Sequence, residues 1–284
     1  MVQDITIVVL TFNEENNIRT LVESVMSVTR NIFVVDSYST DGTLAILDEM
    51  KIKYKQHAFE DYSLQRNWAQ SNNPFSTEWV LHLDADEPIT LELAQWMLND
   101  FAVEKNNMDG FMFSRKTIFM GKWIKYGGQY PNYHLRLYRA GKGRCERKAY
   151  DQHFVVDGAV KKIVNADIIN TVATNLDEFV TSHNHWAKKE ALEIFTASTL
   201  DNGDVMPLFF GNPIERKRWL KLNIFERTPL FLRSFLYFIY RYFVLLGFLH
   251  GKTGLVFFVL QRFWFRFLVD ASVFEMIVAK KKRS

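Results

Sequence analysis

Ile5-Thr6-Ile7-Val8-Val9-Leu10, followed at once by Thr11-Phe12-Asn13-Glu14-Glu15, is the stretch that decides the fold. The first six residues are uncharged and mostly β-branched, which predicts a short strand buried on both faces. The polar loop then gives way to Ile18, Leu21, Val22, Val25 and Met26, at spacings of 3, 4, 7 and 8. Those spacings put one apolar stripe along a helix. A buried strand, a polar turn and an amphipathic helix are the first half of a crossover unit.

The pattern repeats outward from there. Ile32-Phe33-Val34-Val35 reads as a strand ending at Asp36, Ser37 to Gly42 as a turn, and Thr43 to Met50 as a short helix. Lys53 to His57 predicts a weaker strand and Tyr62 to Ser71 a helix. Trp79 to Leu83 predicts another strand, ending at Asp84-Ala85-Asp86, before a helical face marked by Thr90, Ala94, Met97, Leu98 and Phe101. Such alternation implies crossover connections, hence an α/β fold with a mostly parallel sheet and flanking helices. Ligands of such sheets lie beyond the carboxyl ends of the strands. The polar clusters 11–15, 36–43 and 84–87 all follow strands, so they are expected to line one crevice.

Composition narrows the class. The chain has 284 residues, 48% hydrophobic and 24% charged, which is globular and neither disordered nor fibrous. One cysteine, Cys145, excludes an internal disulfide framework and favours a reducing compartment. Met1-Val2-Gln3-Asp4 shows no basic segment ahead of an apolar core, so a cytoplasmic location is expected. The net charge of +3 is unevenly spread. Residues 214–284 hold 14 Lys and Arg against 4 Asp and Glu, and 17 of the 43 aromatics, while the rest of the chain is acidic. An acidic domain over 1–213 is therefore expected. A basic, aromatic helical region over 214–284 completes the chain.

No GxGxxG or GxxxxGK[ST] supports a dinucleotide or P-loop site. Asp84 and Asp86 can instead offer oxygens to a hard divalent cation, Mn²⁺ or Mg²⁺, that takes its other contacts from phosphates. Asp36 can accept from a base or ribose donor; the competing reading is a turn cap. Asp41 is expected to cap the helix that begins near Thr43. Arg66, in Gln65-Arg66-Asn67, can grip a diphosphate through two parallel bonds.

Taken in order, Thr11 to Glu15, Val35-Asp36-Ser37 through Asp41-Gly42-Thr43, Gln65-Arg66-Asn67 and Leu83-Asp84-Ala85-Asp86-Glu87 resemble the family 2 glycosyltransferases. The bacterial branch that includes lipopolysaccharide-core β-1,4-glucosyltransferases is the more similar one. Gly127-Gly128-Gln129-Tyr130-Pro131 and Leu135-Arg136-Leu137-Tyr138-Arg139 extend the resemblance. It implies a GT-A fold, a nucleotide-diphosphate sugar donor, and inversion at the anomeric carbon, with residues 1–213 as the catalytic domain, its nucleotide-sugar half about 1–110 and its acceptor half about 111–213. Thr11, Asn13, Glu14 and Asp36 would hold the nucleoside, and Arg66 would sit near the diphosphate. Asp84 and Asp86 would bridge nucleotide and metal.

Inversion by direct displacement needs a carboxylate to take the acceptor's proton. Where the family often presents His-Glu, this chain reads Tyr150-Asp151-Gln152-His153, so the family glutamate falls on Gln152. Asp151 is the neighbouring acid and the expected base, with Glu146 in reserve.

In the tail, Arg233, Arg241, Lys252, Arg262 and Arg266 interrupt the apolar run, and the longest uncharged stretch, Tyr242 to Gly251, is 10 residues. A spanning helix needs about 20. Amphipathic helices on an anionic membrane surface fit better, with a homo-oligomer contact as the competing reading. The reading as a whole is a peripheral enzyme on the cytoplasmic face of the inner membrane, with a lipid-linked or glycan acceptor. A sugar-nucleotide nucleotidyltransferase and a non-catalytic nucleotide-sugar tether are the alternatives. Nucleic acid is not expected, because the basic excess sits among Phe and Leu.

Overall fold

The computed structural model of the protein describes residues 4–147, 152–173, 175–196 and 205–282. Their contacts group into two units. The first takes in the described residues up to Lys116, Asn132–Arg147 and Gln152–Asn170, and the second Thr117–Pro131 and the described residues from Thr171 onward.

In the first unit, β1 (Ile5–Thr11) is buried at all seven positions. Its neighbours are β2 (Ile32–Asp36) on one side and β4 (Trp79–Asp84) on the other, both parallel, with β3 (Lys53–Gln56) parallel to β2. The crossover helices α1 (Ile18–Val25), α2 (Thr43–Glu49) and α3 (Tyr62–Ser71) lie between these strands in the chain, and α4 (Leu91–Asn99) and the short α5 (Phe101–Glu104) follow them. The parallel half of the sheet thus forms as the alternation predicts. Beyond β4 the order continues antiparallel, through β7 (Tyr133–Arg139) to β5 (Gly110–Phe119), with β10 (Val160–Thr171) at the edge and β6 (Lys122–Trp123) beside the far end of β5. A separate ribbon joins β8 (Gly143–Cys145) to β9 (Phe154–Val156).

Side chains alternate across a strand, and the core follows that rule. Ile5, Ile7 and Val9 belong to one apolar layer with Leu21 and Val25 of α1 and Leu93 and Met97 of α4. Val8 and Leu10 belong to the opposite layer, with Phe33, Val35 and Ala69 of α3. Each such side chain contributes about 1.5–3 kcal/mol by leaving water. Asp61 caps α3, its Oδ1 accepting the Leu64 N–H at 2.8 Å. The expected capping by Asp41 needs adjusting: Gly42 occupies the cap position of α2, and Asp41, one residue earlier, takes the Thr43 N–H at 3.0 Å.

In the second unit, α6 (Leu176–Thr196) packs along α10 (Phe265–Lys281) through Ala187, Ala191, Val269 and Val273. Between them in the chain lie α7 (Pro213–Leu220), α8 (Leu232–Ile239) and α9 (Gly251–Phe258), each running on into a π-helical turn: Lys221–Phe225, Tyr240–Val244 and Val259–Trp264. Phe119, Ile124 and Phe179 share a core with Phe257 and Phe258. That shared core is why the contacts do not divide the chain at 213/214, where the charge pattern changes. Gly127 sits at φ +70°, with the Phe258 ring where a Cβ would stand. Among the described residues no single helix is long and apolar enough to cross a membrane. The pair Leu232–Val244 and Gly247–Lys281 meets that measure only together, and it bends by 69°.

Candidate active site

The strand register sets the site. Leu10 pairs with Val35 on one side and with Asp84 on the other, and Thr11 pairs with Asp36. The carboxyl ends of three adjacent parallel strands therefore bring Thr11, Asp36 and Asp84 to one sheet edge, with Asp86 two residues beyond.

Asp36 is fully buried and satisfied. It accepts from the Ser39 N–H at 3.0 Å, from the Ser39 hydroxyl, and from Gln56 Nε2 at 3.0 Å. Gln65 braces the same corner, donating to Ser37 Oγ and to the His57 carbonyl, both at 3.1 Å. Two of the loops are laced together. Asn13, at φ +56°, accepts the Thr40 N–H at 2.8 Å, and its own N–H donates to Ser39 Oγ at 2.9 Å. The Glu14 N–H donates to Thr43 Oγ1 at 2.8 Å, and the Glu15 carboxylate accepts the Gly42 N–H at 2.7 Å. Asn13 thus shapes the loop through its Oδ1 and its backbone N–H. Thr11 differs: its hydroxyl is buried and has no partner among the described residues.

Gln65, Arg66 and Asn67 each do a separate job. Asn67 docks α3 on β8 by a reciprocal pair with the Cys145 backbone, both at 2.9 Å. Arg66 turns to Asp84, its Nη2 lying 2.8 Å from Oδ1 and 3.2 Å from Oδ2. Two further guanidiniums reach Asp84 Oδ2, Arg136 at 3.2 Å and Arg115 at 3.4 Å. Both of these also hold Glu87, which is fully buried, Arg136 at 2.7 Å from Oε2. The sequence alone assigns no role to Arg115, Arg136 or Glu87; Glu87 and Arg136 fall in segments that carry the family resemblance, whereas Arg115 has no local signal.

The electrostatics separate the two aspartates. Burial pushes the Asp84 carboxyl up, but Arg66, Arg136 and Arg115 outweigh it and hold it well below the usual carboxylate range. Asp86 goes the other way. Burial, and then the Asp84 charge, push it up to about 6. It makes no ion pair with a described residue. Arg115 is brought down to about 10 by burial and by Arg136, and still carries its charge at neutral pH. Arg136 Nη1 and Arg115 Nε are buried without partners among the described residues.

Buried donors without acceptors are costly, so these groups are suited to an anion arriving from outside. A diphosphate meets that requirement, with guanidiniums as its natural partners. No group of three or more His, Cys, Asp or Glu among the described residues forms a metal cage. Asp86 still fits a divalent cation: a single hard oxygen donor, raised in pKa and unpaired, beside a place for phosphates. Asp84 is less available for that role, because its two oxygens are already engaged. Glu146 is buried and accepts the His153 N–H at 3.0 Å. Asp151 lies outside the described residues.

Residues 6–159 match the family described as Glycosyl transferase family 2. The chain belongs to that family. A family 2 glycosyltransferase on these grounds, it has the α/β, GT-A type of sheet with flanking helices and a C-terminal helical region. It is 31% identical over 112 residues to an uncharacterized glycosyltransferase of Rickettsia conorii, covering 39% of this chain and 38% of that one. It is 25% identical over 197 residues to another from Rickettsia typhi, covering 66% of each. With the lipopolysaccharide core biosynthesis glycosyltransferase LpsC of Rhizobium meliloti it shares 25% identity over 189 residues, 64% of this chain and 68% of LpsC. The chain thus spans well under half the length of the first of these relatives. Among solved structures, S. aureus TarS 1–349 in complex with UDP-GlcNAc covers 99% of this chain and 92% of its own, at 14% identity and TM-score 0.45.

Proposed function

We propose that this family 2 enzyme moves a hexosyl group from a uridine diphosphate sugar to a lipid-linked or lipopolysaccharide-core glycan, inverting the anomeric carbon. The observation that carries the reading is the contrast between Asp84, held by three guanidiniums, and Asp86 beside it, left unpaired at about 6. A site meant only for packing would have paired both.

In this reading Asp36 and the Thr11 hydroxyl receive the nucleoside. The Arg66, Arg115 and Arg136 array orients the diphosphate, and its fixed positive charge favours the departing group as negative charge builds there. Asp86 holds the divalent cation, Mn²⁺ or Mg²⁺, which when bound supplies further charge neutralisation at the diphosphate. Asp151 takes the proton of the acceptor hydroxyl as the new glycosidic bond forms. Residues 214–284 attach the enzyme to the cytoplasmic face of an anionic membrane, where such an acceptor resides. The exposed Leu232, Phe235, Leu236, Phe243 and Val244 support that attachment. LpsC, named for lipopolysaccharide core biosynthesis, supports the acceptor class.

The loop after β1 argues against the alternative of a nucleotidyltransferase: it is Asn13-Glu14-Glu15, not a basic glycine-rich one. Thermal-shift screening of nucleotide sugars with and without Mn²⁺ tests the donor half. Stabilisation by a uridine diphosphate sugar that needs the ion is expected, and stabilisation by none of them would sink the reading. For the base, Asp151→Asn should bind donor normally and transfer at least about 100-fold more slowly.

A further inference from the structure

Arg233, Tyr237 and Arg241 stand four residues apart along α8 and the π-helical turn after it, so they share one side of that helix. Arg262 and Arg266, again four apart, come from the turn Val259–Trp264 and from α10. The two sets converge. The Arg241 and Arg262 guanidiniums lie 5.5 and 5.9 Å from the Tyr237 ring centroid, and those of Arg233 and Arg266 lie 5.0 and 5.8 Å from that of Phe225.

The carboxylates that enter this cluster go to particular cations. Asp270 receives Arg233 Nε at 2.7 Å, and Glu190 receives Arg266 at 2.7 Å and Lys221 at 3.2 Å. Arg241 has neutral acceptors instead, the Gly128 carbonyl at 3.0 Å and Gln129 Oε1 at 2.8 Å. Its Nε is buried with no partner among the described residues. The same Gln129 oxygen also accepts from Arg262, so one amide stands between two guanidiniums. Tyr237 registers the resulting field. Burial pushes its phenol up, but Arg262, Arg241, Arg266 and Lys217 bring it down to about 7. Tyr237, Arg241 and Arg262 are each half-buried, so a ligand can reach them.

We propose that Arg241 and Arg262, with Gln129 and Tyr237 beside them, form a binding site for a phosphate group in the helical unit. A guanidinium fork matches phosphate oxygens in geometry as well as charge, and the Arg241 Nε–H is a donor still without an acceptor among the described residues. Phe235, Leu236, Phe243 and Val244 lie exposed along the same helical stretch, which favours a phosphate carried on a lipid over a free one. The site goes beyond the transferase reading and stands without it, since no donor-site residue takes part.

The test is calorimetric titration of the full chain with inorganic phosphate and, separately, with dihexanoyl phosphatidic acid below its micelle-forming concentration. Dihexanoyl phosphatidic acid is expected to bind at least about tenfold more tightly than inorganic phosphate. Arg241→Gln and Arg262→Gln, each made alone, are expected to weaken both probes at least about tenfold, and Arg241→Lys less. Equal binding of the two probes, lost in the same variants, keeps the site and makes free phosphate its ligand. Circular dichroism and melting temperature report whether each variant folds. If Arg241→Gln does not, Arg262→Gln carries the test, together with Tyr237→Phe, which should abolish the fall in tyrosinate absorbance that phosphate produces in the parent protein. Neither probe binding to the parent protein, or undiminished binding in folded glutamine variants, overturns the proposal. Binding of a uridine diphosphate sugar, measured in parallel, reports on the donor site alone.

Discussion

Arg66 grips Asp84 from a different element, α3 against the end of β4, with one guanidinium nitrogen 2.8 Å from Oδ1 and 3.2 Å from Oδ2. The contact ties a helix after the third strand to the carboxyl end of the fourth, with the guanidinium buried and the carboxylate partly open. An arginine so placed both fixes the carboxylate and lends its charge to whatever binds next to it.

Lysine should therefore be a poor substitute. Arg66→Lys keeps the charge but loses the planar fork. The variant is expected to fold, to melt within a few degrees of the parent, and to transfer sugar about 10–100-fold more slowly. Steady-state kinetics beside a melting curve would show it; unchanged turnover would remove Arg66 from the site.

The Asp86 carboxyl at about 6, against an ordinary 3.8, makes cation binding compete with a proton. Affinity for Mn²⁺ is expected to rise with pH through about 6 and to level off above it. Without metal the sign for stability is opposite. The folded state holds this proton more tightly than the unfolded chain, so the Asp86 contribution favours folding below about 4 and is lost as pH rises towards 6. Melting temperatures with and without Mn²⁺ across that window check both directions.

Asp86→Asn separates activity from stability. It removes a half-buried charge that lies beside Asp84 with no ion-pair partner among the described residues, so the melting temperature near neutral pH should stay level or rise. Transfer should fall about 100–1,000-fold, and Mn²⁺ should no longer stabilise the protein. A variant that unfolds instead would point to a structural role.

Asp270 offers a contrast in the helical unit. Its carboxylate accepts from Arg233 Nε at 2.7 Å, from the Ser234 hydroxyl at 2.8 Å and from the Phe231 N–H at 2.8 Å, and it is fully buried. Asp270→Ala would strand the Arg233 charge, at a cost of about 3–5 kcal/mol. Denaturant unfolding followed by the tryptophans would measure it.

The parallel half of the fold was legible because its signals are local. β-branched runs such as Ile5 to Leu10 and the Ile18, Leu21, Val22, Val25, Met26 stripe report burial by spacing alone, and all of these residues are buried except Met26, which is half-buried. Asp36, Arg66 and Asp84 could be marked because each follows or ends a readable element. Arg115 could not, because a single arginine on an antiparallel strand looks like a surface charge until its neighbour is known, and for Arg136 the family-like segment marks a position but not its partner. Their meaning depends on β7 slotting between β4 and β5, a pairing across some fifty residues of chain. Thr117–Pro131 joined the helical unit for a similar reason. Phe119 and Ile124 meet Phe257 and Phe258 from the far end of the sequence, and no local pattern announces that.

The insertion of β7 also governs the order in which a chain leaving the ribosome can mature. Strands β1 to β4 and Glu87 are made before Arg115 and Arg136, so Asp84 and Glu87 at first lack both of those partners. Until then the two neighbouring acids have Arg66 alone to offset them. Synthesis must run past residue 136 before that corner can close, so its charges are balanced only after the parallel strands that carry it have been made.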